Sequence, residues 1–233
     1  MTTTKKKPKA NEPAPPSYLA VLPFMHRPYF DACMATSKIN VRPVDNTVTN
    51  VGCTVAWNMG LKWAMDEGID WCIWMSAAVR FGERGGLDFI EALAANPHAH
   101  VVESQARGHF LAVHRRVTER IGYCDENFWP SYYQDTDWAR RVWLAFPDEI
   151  VWKRVEIGIR SESLAHGIQI AGLRPDLVSM EAYYRAKWGT CPGGMWAHPF
   201  NDPSLPLSWW APPGHHLALP RPRAGQFIAV EGA

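Results

Sequence analysis

Short apolar runs and longer amphipathic stretches follow one another along this chain, and their lengths distinguish strands from helices. Apolar runs predict strands at residues 18–24, 39–44, 71–75 and 101–103, with two more near 109–113 and 149–157. Amphipathic stretches predict helices near residues 28–37, 51–67, 87–95, 115–121 and 177–188, and another from residue 132 onward. Strands and helices therefore alternate through the first half of the chain.

This alternation predicts one α/β domain, a sandwich in which helices cover both faces of a mostly parallel central sheet. A sheet of this kind binds ligands in a cleft at the carboxyl ends of its strands. An all-β sandwich or a helical bundle would contradict this prediction and the functional one that depends on it.

One acidic and aromatic stretch, residues 121–141, differs from the rest of the chain. It contains four carboxylates, six aromatic residues and two arginines. Ser131 and Gln134 have the spacing of a capping box, so we predict that a helix starts at Tyr132. This stretch is the strongest candidate for a site that carries chemistry.

The two aspartates of this predicted helix lie on different faces. Asp135 shares the apolar face, so we expect it where the helix meets the mouth of the cleft. Asp137 faces elsewhere and has Arg140 and Arg141 within reach at i+3 and i+4. For both acids the alternative is that they only stabilise the helix, because carboxylates in a first turn are favoured by the helix dipole.

Composition limits the classes of function. The chain has 233 residues, is 47% hydrophobic and carries a formal net charge of +1, which argues against binding nucleic acid through phosphate contacts. No apolar run has the length of a membrane span, and the N-terminus lacks the apolar segment of a signal peptide. The five cysteines have irregular spacing, so we interpret them as reduced thiols of a cytoplasmic protein (host cytoplasm, if the protein is viral).

Composition also predicts three parts. Residues 1–17 are polar and proline-rich, which predicts a disordered tail. Residues 18–203 form the α/β domain. Residues 204–233 are rich in Pro and Trp and predict an extended arm, which packs through Trp209 and Trp210 on the domain or on a second copy or assembly partner.

Five segments, taken in order, carry a resemblance to a known family. They are YLAVLPFMHRPYF, VRPVDN, NVGCTVAWNMGLKWAMDEGIDWCIWM, FLAVHRRVTERIGYCDENFWPSYYQDTDWARRV and YYRAKWGTCPGGMWAHPFNDP. Their order and spacing resemble glycosyltransferase family 2, which has the GT-A fold, including its bacterial and bacteriophage members. The resemblance implies a nucleotide-sugar transferase.

Two positions depart from the family pattern. Members carry an Asp-x-Asp or Asn-x-Asp triplet after the third strand, where it holds a divalent metal, but this chain has Ser76, Ala77 and Ala78. The family's Glu-Asp motif is Gln134-Asp135, which keeps only the aspartate. We therefore expect no tightly bound metal or other cofactor, although the resemblance leaves a divalent metal open.

The resemblance assigns roles to individual residues. It implies that Asp135 is the general base of an inverting transfer and that Asp45 contacts the nucleotide base. The other donor-binding candidates are Arg27, Asn58, Ser76, Arg80 and His166. The acceptor-binding candidates are Glu126, Trp129, Tyr132 and Tyr133. Without the metal triplet, the leaving diphosphate needs a counter-charge from Arg80, Lys187, Arg27 or a helix N-terminus.

The implied function is transfer of a sugar from a nucleotide-sugar donor to a hydroxyl of a sugar, protein or glycolipid acceptor. The alternative hypothesis is a GT-A-like binding or structural module that has lost catalysis and serves in a viral or surface assembly. The retained Asp135 favours the enzyme. The missing metal triplet, the lysine-containing tail and the Pro/Trp-rich arm favour the module.

Overall fold

The computed structural model of the protein describes residues 15–128, 131–163 and 177–188. The strands are β1 (Tyr18–Phe24), β2 (Val41–Asp45), β3 (Trp71–Met75), β4 (Val79–Phe81), β5 (Val101–Ser104), β6 (Phe110–His114), β7 (Trp152–Val155) and β8 (Ile159–Ser161). The helices are α1 (Arg27–Ser37), α2 (Cys53–Asp66), α3 (Leu87–Ala95), α4 (Arg115–Ile121), α5 (Gln134–Ala145) and α6 (Leu177–Trp188).

Six of these strands form the central sheet, in the order β2-β1-β3-β6-β5-β7. β1 pairs with β2 and β3 in parallel, and β5 pairs with β7 in parallel. Only β6 runs antiparallel to its neighbours β3 and β5. The sheet is therefore mostly parallel, and the predicted α/β fold class is confirmed.

Apolar side chains form two clusters on opposite faces of the sheet. On one face, Val21 and Trp74 pack with side chains of α2, α4 and α5. On the other face, Leu22 and Ile73 pack with side chains of α1 and α3. Adjacent residues of β1 and β3 thus point to opposite faces, as strand geometry requires, and helices cover both faces.

Some boundaries differ from the predicted ones. β2 begins at Val41 because Lys38 ends α1 in a left-handed conformation (φ 53°) and Ile39 turns into the core. The predicted strand at residues 149–157 is shorter, at Trp152–Val155. The small antiparallel sheet of β4 and β8 was not predicted, since each strand has only three residues.

Several predictions concern residues beyond the described ranges. Most of the predicted tail, the whole C-terminal arm, Trp129 and His166 lie outside them. Ser17 is described: its hydroxyl donates to Asp70 Oδ2 at 2.8 Å, and its carbonyl accepts from the Trp71 N–H at 3.1 Å. Within the described ranges, none of the helices combines the length and the apolar character needed to span a membrane.

Candidate functional site

The carboxyl ends of β1 and β2 bring a carboxylate and an arginine together. Phe24 and Asp45 are paired at these ends, and the Asn46 N–H donates to the Phe24 carbonyl at 2.9 Å. Asp45 Oδ1 accepts hydrogen bonds from the Thr47 N–H at 2.8 Å and the Thr47 hydroxyl at 2.6 Å. These bonds lower the pKa of Asp45, and the nearby charge of Arg27 adds to the effect. Asp45 is therefore an exposed, ionised acceptor.

Arg27 begins α1 and faces solvent beside Asp45. Its guanidinium lies 5.1 Å from the Phe30 ring centroid and 5.9 Å from that of Phe24. Its Nε donates to Asp31 Oδ1 at 2.9 Å. The side chain remains 63% exposed, so an anionic ligand can reach its other donors.

The segment after β3 offers no carboxylate. Ser76 Oγ accepts from the Ala78 N–H at 3.2 Å, and the side chains of Ala77 and Ala78 are buried methyl groups. Divalent cations of the magnesium and manganese type need oxygen ligands, usually with carboxylates among them. No group of three His, Cys, Asp or Glu side chains with metal-binding geometry occurs in the described ranges. The residues described at this strand end therefore do not fit such a metal.

Arg80 lies directly behind this segment. Its Nη1 donates to the carbonyls of Ala77 at 2.7 Å and Val79 at 2.8 Å. Its Nη2 lies 3.1 Å from Glu162 Oε2, and its guanidinium is 5.0 Å from the Tyr29 ring centroid. These contacts commit most of its donors to the protein. Arg80 therefore fixes the turn after β3 and places a positive charge behind it.

Asn58 and Glu126 lie inside the protein and are hydrogen-bonded to each other. The Asn58 amide accepts from the Cys124 N–H at 2.8 Å and donates to the Cys124 carbonyl at 2.9 Å and to Glu126 Oε1 at 3.1 Å. Both side chains are buried. They hold the loop before α5 in place, and any effect they have on a ligand is exerted through that loop.

The two tyrosines before α5 have unusual backbone geometry. Tyr132 has φ 83° and Tyr133 has φ 63°, in the left-handed region that non-glycine residues rarely occupy. The helix therefore begins at Gln134, and the predicted capping box with a start at Tyr132 is wrong. The Tyr133 side chain is buried with its ring centroid 5.4 Å from that of Tyr184 on α6.

Asp135 stands in the first turn of α5 and is half-buried. The protein packed around its carboxyl group raises its pKa, while the Thr136 N–H, which donates to Oδ1 at 2.8 Å, opposes the shift. Its charge raises the pKa of the Cys53 thiol, which burial already raises. Cys53 begins α2, directly after the β2–α2 loop. Asp135 therefore lies at the same end of the sheet as Asp45.

The ion pair predicted within α5 is present, but it belongs to a larger buried cluster. Arg141 Nε lies 3.0 Å from Asp137 Oδ2, and both side chains are almost wholly buried. Lys187 Nζ lies 2.7 Å from Asp137 Oδ1 and 2.6 Å from Asp125 Oδ2. Lys187 is thus held inside the protein, so its predicted role as a counter-charge for diphosphate is wrong.

The sequence-predicted site residues within the described ranges thus fall into two groups. Arg27, Asp45, Ser76 and Asp135 lie around the carboxyl ends of β1, β2 and β3, with Arg80 behind them. Asn58, Glu126, Tyr132 and Tyr133 form or support the loop before α5. The buried cluster around Asp137 was missed, because its partner Lys187 is separated from it by 50 sequence positions and no local pattern connects them.

Comparisons with known proteins give weak likenesses. No protein-family model and no curated protein match the sequence. The structure is similar to "Mannosyltransferase PcManGT from Pyrobaculum calidifontis in complex with GDP-Man and Mn2+", with TM-score 0.46, 15% identity, and coverage of 76% of this chain and 73% of that chain. It is also similar to a glycosyltransferase involved in the glycosylation of the major capsid of PBCV-1, with TM-score 0.38, 11% identity, and coverage of 60% and 81%. A third likeness is to A197 from STIV, with TM-score 0.33, 16% identity, and coverage of 45% and 68%.

Proposed function

We propose that this protein is a GT-A-type glycosyltransferase that moves a sugar from a nucleotide-sugar donor to an acceptor hydroxyl with inversion. One observation carries the proposal: Asp135, an acid with a raised pKa, lies at the open end of a mostly parallel sheet, as do the exposed side chains of Asp45 and Arg27. None of the ion pairs within the described ranges includes Asp135, so no described cation competes for its carboxylate.

The donor would bind across the ends of β1 and β2, where open parallel sheets bind nucleotides. Asp45 presents an ionised acceptor for N–H groups of the nucleotide base. Arg27 offers a guanidinium to the diphosphate, and it stands at the N-terminus of α1, where the helix dipole also favours anions. The two side chains thus match the two chemically different halves of a nucleoside diphosphate.

The transfer step requires a base near the acceptor. Asp135 would accept the proton of the acceptor hydroxyl as the hydroxyl oxygen attacks the anomeric carbon and the nucleoside diphosphate leaves with the bonding electrons. A carboxylate whose pKa is raised toward the operating pH is a stronger base than an ordinary aspartate. Tyr132 and Trp129 precede Asp135 and would bind the acceptor, while Tyr133 supports the turn from inside.

The charge on the leaving diphosphate would be balanced without a tightly bound metal. Ser76–Ala78 supplies one hydroxyl and two methyl groups where a metal would need carboxylates. Arg27 and the N-terminus of α1 would take this role, because the ion pair with Glu162 offsets the charge of Arg80.

The same observation at Ser76–Ala78 favours the second candidate, a GT-A-like binding or structural module without catalysis. In that case the fold would be retained, and nucleoside diphosphates would bind weakly or not at all. The retained Asp135 and its raised pKa favour the enzyme.

Calorimetric titration with UDP and GDP, with and without Mn²⁺, tests the donor site. The transferase proposal expects one of the two nucleotides to bind in both conditions, and to bind more weakly to Asp45→Asn. Asp66→Asn is the matched control, because Asp66 is an exposed acid at the other end of α2. Absence of binding in every condition would favour the module.

A further inference from the structure

The end of helix α6 is tied to the start of α5 by a lysine inside the protein. Lys187 has a side chain only 2% exposed. Its Nζ contacts Asp137 in the first turn of α5 and Asp125 in the loop before it. A lysine is rarely buried unless it is paired, so the two carboxylates account for its position.

Trp188 adds a second tie to the same carboxylate. Its indole Nε1–H donates to Asp137 Oδ1 at 2.8 Å, on the oxygen that Lys187 also contacts. Arg141 binds the other oxygen, Oδ2. Asp137 is thus held from both sides, and its backbone N–H donates to the Tyr133 carbonyl at 2.8 Å.

The same helix also covers the strained turn. Met180, Tyr184 and Trp188 of α6 pack with Phe128 and Tyr133 in one apolar cluster. Left-handed backbone at a non-glycine residue persists only where the surroundings enforce it. Because Tyr133 is the residue before α5, this packing and the ties to Asp137 together set the direction in which α5 begins.

We propose that Lys187 and Trp188 are positioning residues for Asp135, acting through Asp137 and the turn at Tyr132–Tyr133. This inference rests on the proposed function, since it makes α6 the element that aims the general base. Both side chains are buried, so they would act on Asp135 from inside the protein and not by binding the donor or the acceptor. Without the ties, α5 would still form, but its first turn would be free to shift.

Two variants remove the contacts of Lys187 and Trp188 with Asp137, and in Lys187→Met the side chain also keeps a similar volume. Lys187→Met removes the charge, and Trp188→Phe keeps an aromatic ring but removes the N–H that binds Asp137. Arg154→Met is the matched control. It also takes a cation from a buried carboxylate, because Arg154 Nη2 lies 3.2 Å from Glu103 Oε2, but this pair joins β7 to β5.

The first measurement is the labelling rate of Cys53 by a thiol reagent, without any nucleotide. Cys53, at the start of α2, is close enough to Asp135 for that charge to raise its pKa, and it is partly covered, so a shifted first turn of α5 should expose it. Labelling should be several-fold faster in Lys187→Met and Trp188→Phe and unchanged in Arg154→Met, with Cys53→Ser used to subtract the other thiols. Equal rates in the parent protein and both variants would overturn the proposal.

The second measurement separates positioning from stability. Lys187→Met should lower kcat about 100-fold, the effect of misplacing a catalytic group by about 1 Å, and leave the donor KM nearly unchanged. The double variant Asp125→Asn, Lys187→Met removes one of the buried charges that Lys187→Met alone leaves uncompensated. Its thermal stability should therefore be higher than that of Lys187→Met, while its kcat stays low. Recovery of kcat together with stability would show that Lys187 has only a structural role.

The two measurements can refute the proposed function and the positioning role separately. If the parent protein turns over no nucleotide sugar, the proposed function is wrong, and the labelling of Cys53 still decides whether α6 holds the first turn of α5. If transfer occurs and the labelling rate does not change, the function stands and the positioning role is overturned.

Discussion

At Asp135, burial and hydrogen bonding act on one carboxyl group in opposite directions. The surrounding protein raises its pKa and the Thr136 N–H lowers it, and burial is the larger effect. A general base works only when deprotonated, so its rate contribution falls as the pH drops through this raised pKa. As the solution is acidified, the transfer rate should therefore begin to fall at a higher pH than it would with an ordinary aspartate as the base.

Replacing Asp135 by Asn should lower kcat by about two to four orders of magnitude, the usual contribution of a general base, and leave donor affinity nearly unchanged. Steady-state kinetics and donor titration measure the two effects. Asp66→Asn, at an exposed acid on α2, should change neither. Unchanged turnover in Asp135→Asn would remove Asp135 from the mechanism.

His114 makes the stability of the protein depend on pH. Burial and the charge of Arg116 lower its pKa from 6.5 to about 4, while Asp70 and Glu119 act in the opposite direction. Between these two values the unfolded chain binds a proton that the folded chain does not. The free energy of unfolding should therefore fall as the pH drops from 6.5 toward 4.

The variant His114→Asn isolates this effect. His114 Nδ1 accepts from the Arg116 N–H at the start of α4, and asparagine can accept the same bond without titrating. Thermal unfolding across this pH range should show a shallower slope in His114→Asn than in His98→Asn, a change at an exposed histidine. Some slope should remain, because the pKa values of His100 and His109 are also lowered, by burial.

At the scale of elements, the fit between α2 and the sheet depends on Gly60. A Cβ at this position would lie 2.5 Å from Val21 Cγ1 and 2.8 Å from Val21 Cβ. The helix therefore approaches β1 more closely than it could with any residue other than glycine at position 60.

Gly60→Ala should lower the free energy of unfolding by about 1–3 kcal/mol, the usual cost of overpacking a core. Chemical denaturation measures this change. Gly158→Ala is the matched control, since a Cβ there meets only the Gly82 Cα at 3.8 Å. Equal stabilities of the two variants would mean that α2 can move away from β1 at little cost.

The sequence predicts the strands and helices whose pattern of apolar and polar residues lies within one short segment. The apolar run of β3 and the amphipathic pattern of α6 are recovered to the residue, at Trp71–Met75 and Leu177–Trp188. The turn at Tyr132–Tyr133 is not recovered, because packing on α6 enforces a backbone that the residues themselves disfavour. Lys187 is misassigned for a related reason: its partners come from distant parts of the chain.

At the scale of the molecule, both edges of the central sheet carry residues that hinder pairing with another sheet. β2 contains Pro43, which has no N–H to donate, and β7 exposes Lys153 and Arg154. The open end of the sheet, where we propose that the donor binds, is a different surface, and it carries Arg27 and Asp45. We expect any self-association to use a surface other than the sheet edges.

The central claim is that this molecule transfers sugars with Asp135 as base and without a tightly bound metal. The most direct measurement is the release of nucleoside diphosphate from a panel of nucleotide sugars in the presence of mixed saccharide acceptors. The rate is measured for the parent protein and for Asp135→Asn, first in a chelator and then with Mn²⁺ added. The account predicts equal rates of the parent protein in the two conditions and a rate about two to four orders of magnitude lower in the variant. A rate that collapses in the chelator and returns with Mn²⁺ would contradict it and would direct attention to Asp45, Asp70 or Glu83 as metal ligands.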